Sequence, residues 1–219
     1  MAVILHIETA TKNCSVSLGK DGELIDTIEL AEAGFNHAEK LHVFIDEILQ
    51  RNAFSYQSIN AIAISKGPGS YTGLRIGVSA AKGLCYALDI PLIAINTLEA
   101  LSRQLNVTEG VIVPMIDARR MEVFAAVYNC EFKEMVSTHA LIVDESTMHK
   151  FDGLVHLIGD GAKKVKEVFV EDRFIWHENI IYPSSKQLVD VAFKKYVTKD
   201  FEDVAYFEPY YLKDFMLTK

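Results

Sequence analysis

The sequence predicts a two-lobed α/β protein, and three observations support this prediction. Near the N-terminus, three short strands follow one another around a glycine-bearing turn at Lys20–Gly22. Helices and strands then alternate, which is typical of a sheet covered by helices. Near the middle of the chain the pattern restarts, because a strand ending in Asp117, a turn and a return strand repeat the opening that ends in Glu8. Two lobes of similar construction would produce such a repeat.

Hydrophobic periodicity and turn residues define the elements of the first half. Asn36 has the side chain of an N-cap, and Glu39 follows at the spacing of a capping box, so a helix is expected to begin there. Thr97 is expected to cap a later helix that runs to Leu105. The other predicted elements are the strands Val3–Glu8, Ser15–Leu18, Leu24–Leu30, Ile59–Ser65 and Leu92–Ile95, and a helix over Thr72–Leu88.

The second half is predicted in the same way. Its elements are the strands Gly110–Ile116, Glu122–Tyr128 and Leu154–Ile158, a helix from Ala162, a helical Ser184–Tyr196 and an extended Pro209–Leu212. No linker rich in Pro, Gly or Ser separates the halves. We therefore expect an N-terminal lobe over residues 1–105 and a C-terminal lobe over residues 106–219 that pack directly on each other. The last segment can pack back on the first lobe.

Composition and charge limit the possible classes of protein. Apolar runs such as Val111–Ile116 are far shorter than the roughly 20 residues of a membrane helix, and the N-terminus lacks the basic region of a signal peptide. Three scattered cysteines indicate a reducing compartment, so we expect a cytoplasmic protein. A net charge of −8 argues against independent binding of nucleic acid, because such binding depends on basic surfaces.

The glycine-rich segment Gly67–Gly77 (GPGSYTGLRIG) lies between a predicted strand and a predicted helix. In one interpretation its backbone N–H groups hold a phosphate. It fits neither the P-loop nor the dinucleotide fingerprint, since no Gly-Lys-Ser/Thr follows and Thr72 stands where a third glycine belongs. In the other interpretation, Gly73, Gly77 and Ala81 form a small-residue helix face that another backbone approaches closely. That backbone belongs either to the chain's own sheet or to a partner helix.

Two histidines of the first predicted helix raise the question of a metal site. His37 and His42 are five positions apart, which separates them by about 140° around a helix. Two ligands on one helix need a spacing of four, and Leu41 stands at that position. We therefore expect no metal site, and we expect both histidines on the surface or at an interface.

Polar residues at strand ends and in a glycine turn are the remaining candidates for chemistry. Such positions often hold a carboxylate that handles phosphate or metal, or a turn that approaches a nucleotide, but ordinary turns explain them as well. No nucleophile and base can be paired from the sequence, so no catalytic residue is predicted. The candidates for a residual nucleotide or phosphate site are Glu8, Thr9, Thr11, Asp117, Arg119, Gly159, Asp160 and Gly161.

Taken together, these segments resemble the TsaB (YeaZ) family, the companion subunits of bacterial tRNA threonylcarbamoyladenosine synthesis. The resemblance covers most of the chain and is most specific in ISKGPGSYTGLRIGVSAAKGLCYALDIPLIAINTLEAL. Supporting segments are ILHIETATKNCSVSL near the start, MIDARRMEVFAAVY in the middle, GDGA at Gly159–Ala162, and EPYYLKDF near the end. Family members usually have Asp where this chain has Glu8, and the change keeps the charge.

The resemblance implies the two-lobed actin/Hsp70/sugar-kinase-like (ASKHA) fold, in which each lobe is a mixed sheet flanked by helices. Relatives that use ATP place a glycine in the first phosphate loop, where this chain has Ala10. The catalytic relative TsaD uses an HxxxH metal pair, whereas this chain has His37 and Leu41. The resemblance therefore implies a pseudo-enzyme that requires no cofactor, with ATP and a metal ion on the partner subunits.

The resemblance also implies a scaffold that activates TsaD through a surface built from two long helices, here about His37–Arg51 and Thr72–Leu88. The implied partners are a TsaD-like catalytic subunit and a TsaE-like ATPase. Contact with tRNA is expected only through the complex, no membrane is expected, and the chain alone is expected to form a homodimer. The residues expected at the interface are His37, Leu41, His42, Ile45, Thr72, Gly73, Leu74, Gly77, Ala80, Ala81 and Leu84.

Two other functions remain open at the level of sequence. One is a nucleotide-dependent ATPase or phosphotransferase of the same fold, against which Ala10 and the missing metal pair argue. The other is a protease, which lacks a recognisable nucleophile and base. Turnover of ATP by the isolated chain would favour the first, and cleavage of protein would favour the second.

Overall fold

Two mixed sheets form the framework of the computed structural model, which describes residues 1–31, 37–144, 147 and 151–213. The first sheet and its helices comprise β1 (Val3–Glu8), β2 (Asn13–Lys20), β3 (Glu23–Ala31), α1 (His37–Arg51), β4 (Ala61–Ser65), α2 (Tyr71–Leu88), β5 (Leu92–Ile95) and α3 (Thr97–Ser102). The strand order is β3-β2-β1-β4-β5. Strand β1 is antiparallel to β2 and parallel to β4.

The second sheet repeats this arrangement. Its elements are β6 (Val111–Asp117), β7 (Glu122–Asn129), β8 (Glu134–Ile142), β9 (Val155–Ile158), α4 (Asp160–Lys164), β10 (Phe174–Trp176) and α5 (Leu188–Thr198). The order is β10-β9-β6-β7-β8, with β6 antiparallel to β7 and parallel to β9, so β6 takes the place that β1 has in the first sheet. The predicted fold of two mixed sheets flanked by helices is confirmed.

The opening hairpin shows how local sequence determines this topology. Asp21 and Gly22 connect β2 to β3, and both have positive φ, 52° and 89°. Two consecutive residues with positive φ make a type I′ turn, whose twist matches that of paired strands. The hairpin therefore closes at the predicted turn and pairs Lys20 with Glu23.

Both faces of the first sheet are covered, and this explains why every residue of β1 is buried. On one face, Leu5 and Ile7 pack in the core that receives the apolar stripe of α1. On the other face, Ile4 packs with Leu188 and Ala192 of α5, which returns to the first sheet from the end of the chain. The predicted division into residues 1–105 and 106–219 stays a prediction.

One turn of 3-10 helix, Ser185–Gln187, leads directly into α5. Hydrogen bonds between hydroxyl groups hold this turn against the first sheet. The Oγ atom of Ser185 lies 2.6 Å from the Oγ atoms of both Ser15 and Ser17 on β2. All three side chains are fully buried. We call Ser15, Ser17 and Ser185 the serine latch, since together they hold the entry to α5 against β2.

Several predicted element boundaries are corrected by the structure. Asn96, not Thr97, caps α3, because its Oδ1 atom accepts a hydrogen bond from the Leu98 backbone at 2.8 Å, and the helix ends at Ser102. Strands β8 and β10 were not predicted. The proposed cap residue Asn36 lies outside the described residues. Within the described ranges, no helix is both long and apolar enough to cross a membrane.

Candidate functional site

The carboxyl group of Glu8 lies at the end of β1 and is fully buried. Its Oε1 atom accepts a hydrogen bond from the Ala10 backbone at 2.6 Å, while its Oε2 atom has no hydrogen-bond partner among the described residues. Burial raises the pKa of Glu8 to about 7, although hydrogen bonds from Ser65, Ala10 and Thr9 oppose the increase. At pH 7 about half of these carboxyl groups are therefore protonated, and solvent does not reach them.

A chain of hydroxyl groups connects Glu8 to the glycine-rich loop. The backbone N–H of Gly67 donates to Thr97 Oγ1 at 3.0 Å, and Thr97 Oγ1 lies 2.7 Å from Ser65 Oγ. Since Ser65 hydrogen-bonds to Glu8, the chain runs from the loop before α2 to the end of β1. The structure thus places the buried acid in a network that holds backbone segments together.

The turn after β1 fills the space in front of α2. A Cβ atom built on Gly73 would lie 2.1 Å from the Thr9 carbonyl oxygen, and one built on Gly77 would lie 2.2 Å from Thr9 Oγ1. A Cβ atom on Gly69 would lie 2.2 Å from the Ala10 carbonyl oxygen. The glycines therefore allow close approach of the chain's own backbone, which is the first of the two packing alternatives that the sequence left open.

This packing corrects the prediction that the small-residue face of α2 meets a partner. Ala81 is fully buried in the core between α2 and the first sheet. Seven of the eleven residues predicted at the interface are buried inside the chain, whereas His42 and Thr72 are exposed and Ala80 and Leu84 are half-buried. The seven buried residues are His37, Leu41, Ile45, Gly73, Leu74, Gly77 and Ala81.

The two histidines of α1 have different environments. His37 is buried, and its Nε2 atom donates a hydrogen bond to the Thr11 carbonyl oxygen at 2.7 Å, which fixes the start of α1 to the turn after β1. His42 is exposed. Over the described part of the chain, no three His, Cys, Asp or Glu side chains lie close enough together to hold a metal ion.

The candidates of the second half lie together at the ends of β6 and β9. Asp160 Oδ1 accepts from the Asp117 backbone at 3.0 Å, Asp117 Oδ1 accepts from the Arg119 backbone at 2.7 Å, and Lys164 forms an ion pair with Asp117. Burial raises the pKa of Asp160, and the positive charge of Lys12 partly offsets this effect. Lys12 belongs to the turn after β1, so its charge acts on the end of β9 from the other half of the chain.

The exposed outer sides of α1 and α2 carry residues that the sequence prediction missed. Val43 is 54% exposed and Tyr86 is 86% exposed. No atom of the surrounding structure lies within 4 Å of a Cβ atom built on Gly83, and Ser79 is exposed one turn earlier. We call Val43, Ser79, Gly83 and Tyr86 the outer helix face. The sequence could have indicated this face, because each of these residues is apolar or small and lies on a helix outside the stripe of residues that faces the core.

The C-terminal segment 202–213 crosses α2 and reaches the second sheet. Lys82 Nζ donates to the Phe207 carbonyl oxygen at 2.8 Å, and the Tyr210 backbone donates to the Lys66 carbonyl oxygen at 2.7 Å. The Tyr210 hydroxyl lies 3.5 Å from the Thr138 carbonyl oxygen on β8. A groove of about 500 Å³ runs beside this segment. We call residues 202–213 the C-terminal strap.

Comparisons with known proteins agree with this architecture. A family model described as TsaD, tRNA N6-adenosine threonylcarbamoyltransferase, matches residues 31–211. The chain is 34% identical over 187 residues to the tRNA threonylcarbamoyladenosine biosynthesis protein TsaB of Bacillus subtilis, covering 85% of this chain and 75% of that protein. It is 28% identical over 220 residues to the Escherichia coli protein of the same name, covering 96% and 94%. The solved structure of YeaZ from Pseudomonas aeruginosa superposes with a TM-score of 0.85 at 23% identity, covering 97% of this chain and 100% of that one.

Proposed function

The chain belongs to the TsaB (YeaZ) family of tRNA threonylcarbamoyladenosine biosynthesis proteins, and from this we propose that it is a non-catalytic subunit that binds and activates a TsaD-type catalytic subunit. Its place in the formation of threonylcarbamoyladenosine in tRNA follows from its family. The non-catalytic role and the mode of binding are the parts that we propose.

The burial of Glu8 is the observation that carries the non-catalytic role. An acid that handles phosphate or metal must be ionised and must face the ligand. Here the carboxyl group is fully buried with its pKa raised to about 7, and the turn that follows it is packed against α2. Ala10 is fully buried within this turn, so a phosphate group would have to displace the chain's own backbone.

The outer helix face is the surface that we propose for the catalytic subunit. A glycine inside a helix lowers stability by about 1 kcal/mol relative to alanine. At Gly73 and Gly77 the close approach of Thr9 explains why glycine is present, because a larger residue would not fit. At Gly83 the described residues offer no such explanation, since none of their atoms lies within 4 Å of a Cβ atom built there. Close approach of a partner helix would account for Gly83 and would also cover Val43 and Tyr86.

The remaining partners follow from this role. ATP and a metal ion are proposed on the catalytic subunit and on a TsaE-like ATPase, and none is proposed on this chain. With a net charge of −8, the chain is proposed to meet tRNA only through the complex. Without the catalytic subunit, the outer helix face is proposed to pair with a second copy of the chain.

Reconstitution tests the proposal. The chain, the TsaD-type and TsaE-type proteins of the same organism, threonylcarbamoyl-AMP and unmodified tRNA are combined, and formation of threonylcarbamoyladenosine is measured with and without the chain. We expect modification to require the chain, and we expect Gly83→Arg to abolish both assembly and modification. Val197→Arg is the matched control, because Val197 is 64% exposed on α5, away from α1 and α2. Full modification without the chain, or with Gly83→Arg, would contradict the proposal.

A nucleotide-dependent ATPase or phosphotransferase is the second candidate, and one observation favours it. The positive charge of Lys12, in the turn after β1, lowers the pKa of Asp160 at the end of β9, so groups from the two halves of the molecule influence each other electrostatically. Tight binding of ATP and Mg²⁺ with turnover by the isolated chain, lost in Lys12→Ala, would establish this function. We expect no turnover, because Glu8 is buried at the end of β1 and Ala10 is buried within the turn that follows it.

A further inference from the structure

The guanidinium group of Arg75 is held in place on the surface of α2 by two tyrosines. Its central carbon lies 4.1 Å from the centre of the Tyr71 ring, and its Nε atom donates to the Tyr211 hydroxyl at 3.4 Å. The rings of Tyr71 and Tyr211 are themselves 5.0 Å apart. Tyr211 belongs to the C-terminal strap, so two distant parts of the chain together fix the orientation of one exposed arginine.

The terminal nitrogens of Arg75 donate no hydrogen bond to any of the residues that the structure describes. Other arginines use theirs within the chain, since Arg51 pairs with Asp26 and Glu47, and Arg103 pairs with Glu99. Arg120 resembles Arg75 in having no ion-pair partner among the described residues. It differs from Arg75 because no aromatic ring of those residues packs against it. Arg75 therefore combines a fixed orientation with an unused pair of donors.

Such an arrangement suits a ligand with two oxygen atoms in one plane. The guanidinium group presents parallel N–H donors that match a carboxylate or phosphate, and fixing the side chain beforehand reduces the entropy lost on binding. Helix α2 contains Arg75 and Lys82 but no acidic residue, and Lys82 already donates to the Phe207 carbonyl oxygen. Arg75 is thus the available cation on this helix.

The position of Arg75 connects it to the outer helix face. At 100° per residue, Arg75 lies about 40° from Ser79 and about 20° from Tyr86 around α2. The neighbouring α1 exposes Glu39, Asp46 and Glu47 on its outer side. A partner helix that covers α1 and α2 would meet a cation at Arg75 and carboxylates on α1. This mixture of charges favours a protein partner of complementary charge over a polyphosphate.

We propose that Arg75, oriented by Tyr71 and Tyr211, is the anchor that receives a carboxylate side chain of the catalytic subunit. This inference rests on the proposed function, and it adds the chemistry that aligns the two proteins. Because Tyr211 lies on the C-terminal strap, the anchor also makes the partner surface depend on the end of the chain.

Titration of the TsaD-type subunit with the full-length protein tests the anchor. We expect Arg75→Lys, which keeps the charge but loses the paired donors, to weaken binding at least tenfold, and Arg75→Gln to weaken it further. Tyr211→Phe removes the oxygen that accepts from Nε and should weaken binding about threefold. Arg120→Gln, an exposed arginine without an aromatic ring beneath it, is the control and should bind as the wild type does. Increasing salt should weaken the wild type more than Arg75→Gln.

The outcomes separate the anchor from the broader proposal. If wild-type protein does not bind the catalytic subunit, both are overturned. If Gly83→Arg abolishes binding while Arg75→Lys and Arg75→Gln bind within twofold of wild type, the anchor alone is overturned. If Arg75→Gln binds the subunit normally but loses affinity for tRNA or ATP, the ligand is a phosphate and the carboxylate assignment is wrong. Rescue of Arg75→Glu by an acid-to-arginine change in the partner would establish the pair.

Discussion

The Thr9 hydroxyl donates a hydrogen bond to the Gly73 carbonyl oxygen at 2.9 Å, joining the turn after β1 to the first turns of α2. Thr9 belongs to the turn after β1, and Gly73 lies on the helix proposed to contact a partner. The contact therefore supports the proposed interface helix from inside the chain.

This contact gives opposite predictions for two glycines of one helix. Gly73→Ala is expected to lower the free energy of unfolding by about 1–3 kcal/mol, because its Cβ atom would press on the Thr9 carbonyl oxygen. Gly83→Ala is expected to raise it by up to about 1 kcal/mol, because its surroundings are open and alanine favours the helix. Urea denaturation of both variants measures the difference, and equal effects would show that the packing of Thr9 on α2 is wrong.

Glu8 is expected to make the protein less stable as the pH rises. Its pKa is about 7 in the folded state and 4.5 when unfolded, so its stabilising contribution is complete below pH 4.5 and is lost as the pH rises to 7. The loss corresponds to about 3 kcal/mol. Glu8→Gln stays neutral, so its free energy of unfolding should rise relative to that of the wild type by about 3 kcal/mol between pH 4.5 and 8, measured by denaturation at a series of pH values. A difference between the two proteins that does not change with pH would contradict this prediction.

His6 is expected to have the opposite effect on stability. Burial lowers the pKa of His6 from 6.5 to about 4, against a hydrogen bond to the Ser17 carbonyl oxygen that raises it. Its contribution is therefore complete above pH 6.5 and is lost as the pH falls towards 4. Between pH 4.5 and 6.5 the contributions of His6 and Glu8 nearly cancel in the wild type, so His6→Asn should lose stability as the pH rises through this range, following Glu8 alone. Denaturation of this variant and of the double variant with Glu8→Gln separates the two groups.

The serine latch is expected to contribute to stability through its buried hydroxyl groups. Ser185→Ala removes one hydrogen bond from each of Ser15 and Ser17, whereas Ser15 keeps Ser184 and Ser17 keeps Thr27 as partners. We expect a loss of about 0.5–1.5 kcal/mol for each hydrogen bond removed. Ser137→Ala, at an exposed position of β8, is the control and should change stability by less than about 0.5 kcal/mol. If both variants unfold at the same urea concentration, the latch contributes nothing.

Much of the fold could be predicted because its signals are local. The periodicity of α1, the turn at Asp21–Gly22 and the repeated strand ending in Asp117 each depend on a few neighbouring residues. Strand β8 was missed because it is an edge strand with mostly exposed or half-buried residues, so no clear alternation marks it. The cap of α3 was misplaced by one residue, since Asn96 and Thr97 are both good caps and only geometry distinguishes them.

The candidate site was less predictable, because its features depend on what lies opposite. Small residues at Gly73, Gly77 and Ala81 indicate close approach of a backbone, but they do not identify whose backbone it is. The structure identifies it as the chain's own turn at Thr9. In the same way, nothing near Arg75 in the sequence indicates Tyr211, which lies 136 positions away.

The return of α5 to the first sheet affects how the protein forms on the ribosome. Ile4 and Ile93 remain uncovered until Leu188 and Ala192 have been synthesised, so the first sheet to be made is the last to be completed. At about 5–20 residues per second, this apolar face waits roughly 5–20 s after β5 has been made. During that time an apolar face of the first sheet is exposed on the nascent chain, and a chaperone near the ribosomal exit tunnel would bind to this face.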